Sequence, residues 1–228
     1  MTADALDRTV RAELSGLPKG LSDIVARHLV MTGRLIDEDP EAAYEHAKAA
    51  QRHAARIAVV RESLALAAYA TARYEEALAE FRAHRRLSGS DAYIAVVADC
   101  ERGRGQPRKA LELARSPRAE KVDHDTRIEL LIVAAGARRD MGQHEAAMVS
   151  LRVPALTSHS HEPWASRLKY AYADALLGVG NIADARMWFE QAAAVDLTGE
   201  TDALERLTEL SPTEDTRVPD KSGAPPRH

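Results

Sequence analysis

Histidine, cysteine and arginine are the residue types here whose spacing could carry chemistry. His159 and His161 stand two apart in the polar stretch 157–163, with His124 and His144 elsewhere in the chain. A metal centre needs three or four ligands held in fixed geometry. An H-x-H pair in a loop with no fixed third ligand reads as two solvated side chains, so no metal is expected. The single cysteine, Cys100, follows Val96 and Val97 on the apolar side of its helix. It reads as a small buried hydrophobe rather than a nucleophile. No G-x-S-x-G, P-loop, H-E-x-x-H or G-x-G-x-x-G motif occurs, and Gly103-Arg104-Gly105 is a turn between helices rather than a phosphate cradle. The expectation is a chain with no catalytic residues and no cofactor, and therefore no enzyme.

Charge says more. Residues 57–118 hold 11 Lys or Arg against 8 Asp or Glu, while residues 119–228 hold 12 against 18. The cations cluster as Arg82, Arg85 and Arg86 with His84, then Arg102, Arg104, Arg108 and Lys109, then Arg115 and Arg118. The plain reading is a solvated helix face. The functional reading is a basic face for an acidic protein or RNA, formed by Arg82, Arg85, Arg86, Arg104, Arg108 and Lys109. Few aromatics accompany it beyond Tyr74 and Tyr93, so base stacking has little support.

The elements that must position these groups are helices. Residues 57–87 read as two amphipathic helices joined by the short linker Ala72-Arg73, which makes them antiparallel neighbours. Ala77 and Phe81 share one face one turn apart: a small residue that lets helices approach, and a ring that fills the space beyond. The unit recurs. A Gly or small residue, four residues and then an Ala appear at Gly105 to Ala110, Gly142 to Ala147 and Gly180 to Ala185, the last followed by Phe189. Upstream, Glu38 to Ala43 fits without the Gly. The alanines at 43, 77, 110, 147 and 185 are separated by 34, 33, 37 and 38 residues. Twelve positions before each of the last four stands another small residue, Ala65, Ala98, Ala135 and Ala173, with Met31 in the first copy.

This pattern resembles the tetratricopeptide repeat family, whose unit is a 34-residue helix-turn-helix, over about residues 22–197. The family's opening Trp is absent, its closing Pro is missing after most second helices, and the extra residues of the last two spacings fall in the loops at 117–125 and 153–163. The resemblance implies an all-α, right-handed α-solenoid of about five repeats (about 22–54, 57–88, 91–116, 125–152 and 163–196) with cap helices at 4–17 and 201–210. These form a single domain, residues 1–210. Ser22, Asp39-Pro40 and Ser90 are expected helix caps. Residues 211–228, rich in Pro, Ser and charge, are expected to be disordered.

The resemblance further implies that the first helix of each repeat lines a concave groove. The slots then fall on His28, Thr32, Glu62, Ser63, Tyr69, Asp99, Arg102, Glu129, Arg139, Arg167, Tyr170 and Asp174. The Lys and Asn set with which family members clamp chaperone tails is absent. Arg102, Arg139 and Arg167 stand on successive copies, where they either grip an acidic peptide or pair with Asp99, Glu129 and Asp174. The expected function is a protein-protein adaptor that takes a partner segment in the groove. The alternative is an RNA- or ribosome-associated accessory protein using the basic face.

With no apolar run of 18 residues, no secretory signal and one cysteine, a cytoplasmic monomer or dimer is expected, with no membrane contact. The Ala-, Arg- and Asp-rich usage reads as that of a high-GC bacterium such as an actinobacterium.

Overall fold

The recurring alanine marks the closest approach inside each helix pair. Ala43, Ala77, Ala110, Ala147 and Ala185 are all fully buried, as are Ala65, Ala98 and Ala173, and Ala135 is 2 % exposed. A side chain of one carbon brings two helix backbones together, and larger neighbours then fill the surrounding space. Phe81 and Phe189 do so one turn on, with Leu151 in the matching slot of the fourth copy.

A computed structural model describes residues 6–210, and within them every regular element is helical. The helices are α1 (Arg8–Leu14), α2 (Lys19–Leu35), α3 (Pro40–Ala54), α4 (Ala58–Ala70), α5 (Tyr74–Ser88), α6 (Ile94–Gly103), α7 (Pro107–Ala114), α8 (His124–Asp140), α9 (His144–Ser150), α10 (Pro163–Gly178), α11 (Ile182–Val195) and α12 (Ala203–Glu209). Pairs α2/α3, α4/α5, α6/α7, α8/α9 and α10/α11 each pack internally and then against the next pair, with α1 and α12 at the two ends. The described residues thus form an all-helical α-solenoid of five helix-turn-helix units. The first residues of the expected 4–17 cap, and the expected disordered tail from 211, lie outside the described residues.

One turn geometry closes four of the five units. The residue five before each key alanine is left-handed: Ala72 at φ 56°, Gly105 at 72°, Gly142 at 73° and Gly180 at 78°. In each, that residue's N–H reaches back three residues and the next N–H reaches back five, as in Arg73 N–H to the Ala68 carbonyl (2.8 Å) and Gln143 N–H to Arg138 (2.9 Å). This pair of hydrogen bonds satisfies two of the helix's orphan carbonyls and reverses the chain at once. The first unit has no such residue. There Asp39 caps α3 by accepting from the Ala42 N–H, with Pro40 opening the helix.

Several ends differ from the sequence expectation. Ser22 is not a cap, because Pro18 precedes the helix and α2 starts at Lys19. Ser90 accepts from the Ala92 N–H in a turn, and α6 begins only at Ile94. Asp123 and Asn181 cap α8 and α11, two signals the periodicity did not reveal. Second helices α7 and α9 are short, with 8 and 7 residues against 14 or 15 in α3, α5 and α11. The residues they give up go into segments 115–123 and 151–162, and the latter carries a short 3-10 helix at Pro154–Thr157.

Candidate functional site

The first helices α4, α6, α8 and α10 share one face of the stack, and two joined cavities run along it. One, about 820 Å³, extends from Tyr69 and Tyr93 past Asp99, Glu129 and Val133 to Trp164. The other, about 320 Å³, is lined by Gly136, Arg139, Tyr170, Asp174, Glu200 and Asp202. Arg102, Ile132 and Arg167 line both, which makes one trough.

Its polar groups are knitted from one repeat to the next. Tyr69 donates to Asp99 (2.6 Å); Arg102 donates to Asp99 (2.7 Å) and to Asp140 (2.6 Å). Arg139 pairs with Asp174. Arg167 donates through two nitrogens to Glu129 (2.7 and 2.9 Å) and through a third to Glu200 (2.6 Å). All three groove arginines are therefore held by carboxylates of the protein itself, and Asp99, Glu129 and Asp174 are among them. Gly136 permits this packing, since a Cβ there would sit 2.9 Å from the Arg102 guanidinium.

Burial tunes the trough. The Tyr69 hydroxyl is held well above its ordinary range by burial first and then by the Asp99 hydrogen bond. Tyr170 is pushed up to about 12 by burial and then by Asp202. Burial opposes the charge of Arg102, but the Asp140 bond and the Asp99 charge outweigh it and raise its pKa. Burial and then the Arg102 charge lower Arg139. Both guanidinium groups remain charged at physiological pH.

The other sequence-derived slots fall outside this trough. Thr32 is 3 % exposed and its hydroxyl donates to the His28 carbonyl (3.0 Å), so it faces the interior. His28 meets His46 of the partner helix α3, ring nitrogen to ring nitrogen at 2.9 Å. Burial first, and then the charge of His46, lower its pKa. Glu62 lies 3.5 Å from His84 and accepts a hydrogen bond from Tyr93.

The basic face is split. Arg82, Arg85, Arg86 and Lys109 line a cleft of about 470 Å³ with Glu101 and Arg118. Within it Arg85 and Arg118 share Asp91 (2.7 and 2.5 Å) and Arg82 reaches Glu101 (3.8 Å). Arg104 lies on another depression, paired with Glu75 (2.8 Å), and Arg108 is exposed on α7.

Cys100 is fully buried, and burial, reinforced by the charges of Asp99 and Glu101, pushes its thiol up to about 12. Among the described residues no group of three or more His, Cys, Asp or Glu could hold a metal ion. No helix there is long and apolar enough to cross a membrane.

Among solved structures, the chain is similar to yeast Tom70, with 15% sequence identity and a TM-score of 0.47, over 82% of this chain and 46% of that one. It thus spans less than half the length of that protein. No protein-family model matches the chain, and no curated protein matches it.

Proposed function

We propose that the protein is a non-enzymatic scaffold that takes a segment of a partner protein in the first-helix trough. The observation that carries this reading is the trough itself, continuous across four successive repeats and walled by aromatic and branched side chains between charged ones. Its mechanism is surface complementarity, with no bond made or broken.

The charge balance narrows the partner. Seven carboxylates line the trough (Asp99, Asp125, Glu129, Glu162, Asp174, Glu200 and Asp202) against the three guanidinium groups of Arg102, Arg139 and Arg167. Because those arginines are already paired, an acidic peptide would have to displace internal carboxylates. A basic segment meets the carboxylates those arginines leave over, Asp125, Glu162 and Asp202, and its apolar residues meet Tyr93, Ile132 and Tyr170. The partner segment is therefore amphipathic and basic.

A peptide-display selection on full-length protein tests this. The exposed trough residues Asp125, Glu162 and Asp202 are changed to Lys in a second protein shown by circular dichroism to be folded. Selected peptides rich in Lys and Arg, with affinity at least about tenfold weaker for the triple variant, are expected. Acidic peptides, or equal binding to both proteins, would contradict the reading. Retention of cell components that nuclease releases would move the function to the Arg82–Lys109 face.

A further inference from the structure

The extra residues that lengthen the third and fourth repeats build a second cavity on the opposite side of the stack. It is an open cleft of about 690 Å³ between α7 and α9 over the outer face of α8. Ala119 and Glu120 of the first inserted segment form one wall, and Val153, Pro154 and Ala155 of the second form the other. Leu111, Ile128, Leu131 and Ala134 make an apolar floor.

Both walls are pinned. Arg118 ties the first segment to Asp91, and Arg127 donates to the carbonyls of Glu120 (3.2 Å) and Val122 (3.3 Å). The second is held by the buried ammonium of Lys169, which donates to the Leu156 carbonyl (2.7 Å), with Leu156 itself in the core. The cleft is therefore preformed, and its volume falls in the range of about 300–1,000 Å³ found for small-molecule sites.

Its cations differ from those of the trough. Arg115 and Arg138 both line the cleft, and neither has an ion-pair or hydrogen-bond partner for its side chain among the described residues. Half-buried Arg138 has its pKa lowered by burial first and then by the neighbouring charge of Arg115. Glu120 lines the same cleft but lies beyond ion-pair distance of both. Two guanidinium groups at the edge of an apolar trough ask for an anion attached to an apolar body.

We infer that this cleft binds a single-chain amphiphile with an anionic head, a long-chain carboxylate, with its chain on Leu111, Ile128 and Leu131 and its head between Arg115 and Arg138. An extended peptide fits less well, because the apolar floor gives its backbone groups no partners.

Isothermal titration of the full chain with dodecanoate, below its micelle concentration, tests the proposal, with dodecylamine as the cationic control. Saturable one-to-one binding of the acid is expected, with none of the amine. Arg115→Gln combined with Arg138→Gln weakens binding at least about tenfold, and Ala155→Phe, which fills the cleft without touching charge, abolishes it. No saturable binding, equal binding of the amine, or binding unchanged in both variants would overturn the proposal. So would a dimer that Ala155→Phe splits into monomers, since a second copy would then be the occupant.

Discussion

Helix α8 is seen from two sides, and the two sides treat the same residue type in opposite ways. Toward the first-helix trough, Arg139 pairs with Asp174, and Glu129 takes the guanidinium of Arg167 from the next repeat. Toward the outer cleft, the adjacent Arg138 has no side-chain partner among the described residues. The difference follows from the neighbours. On the inner side α6, α8 and α10 stack at repeat distance and offer carboxylates at regular heights. On the outer side α7 and α9 are too short to reach past α8, and inserted loops with few acids take their place. Arg139 and Arg167 thus serve the stack, and beside the first insertion Arg118 and Arg127 hold the loop, whereas Arg138 does neither among the described residues.

The largest effect expected concerns whether the outer wall is true core. Leu151 ends α9, is fully buried and occupies the slot held by Phe189 in the last repeat. Leu151→Ala should cost about 2–5 kcal/mol, read as a lowered urea midpoint. A cost below about 1 kcal/mol would mean that the outer side is only loosely attached, and the contrast between the two sides would weaken.

The turn that ends α8 fixes which side faces which. Gly142 is left-handed at φ 73°, and a Cβ there would meet no atom within 4 Å. Gly142→Ala should therefore cost about 1–2 kcal/mol for its backbone alone. The second repeat already carries this strain at Ala72, with φ 56°, so Ala72→Gly should gain a few tenths to about 1 kcal/mol. Opposite signs in thermal unfolding support a shared turn; equal signs would break it.

An effect confined to high pH, and absent at neutral pH, belongs to the inner side. The Cys100 thiol sits beside Asp99 of the trough network and is raised from 9.0 to about 12. The folded state keeps the proton that the unfolded chain gives up above pH 9. This contribution to stability is therefore complete below pH 9 and is lost as pH rises toward 12. Cys100→Ala should flatten that alkaline decline, and the wild-type thiol should alkylate slowly in the folded protein.

Much of the fold was legible because the signal is local and repeats. A small residue every 33 to 38 positions marks each helix crossing, and all five such alanines are buried. The helix starts were less legible: Asp123 and Asn181 act through single cap bonds that leave no periodic trace. Most of the trough pairings join residues about one repeat apart, such as Tyr69 with Asp99 and Arg102 with Asp140. Pairing of the groove arginines with Asp99, Glu129 and Asp174 was one of the two readings the sequence allowed, and testing charge pairs at that spacing would have added Asp140 and Glu200. Thr32 was misleading because the groove register carried from the family does not say that a hydroxyl turns inward to a carbonyl. The outer cleft left only an odd spacing in the sequence, since loop conformation, not residue pattern, shapes it.

The most direct measurement sets one substitution on each side of α8 next to the other. Arg102→Met strands Asp99 and Asp140 on the inner side, whereas Arg138→Met removes a cation that has no partner among the described residues. Urea denaturation at neutral pH should show a loss of about 1–3 kcal/mol for the first and a change within about 0.5 kcal/mol for the second. Equal losses would contradict the account, because the outer arginine would then be serving the stack as the inner ones do.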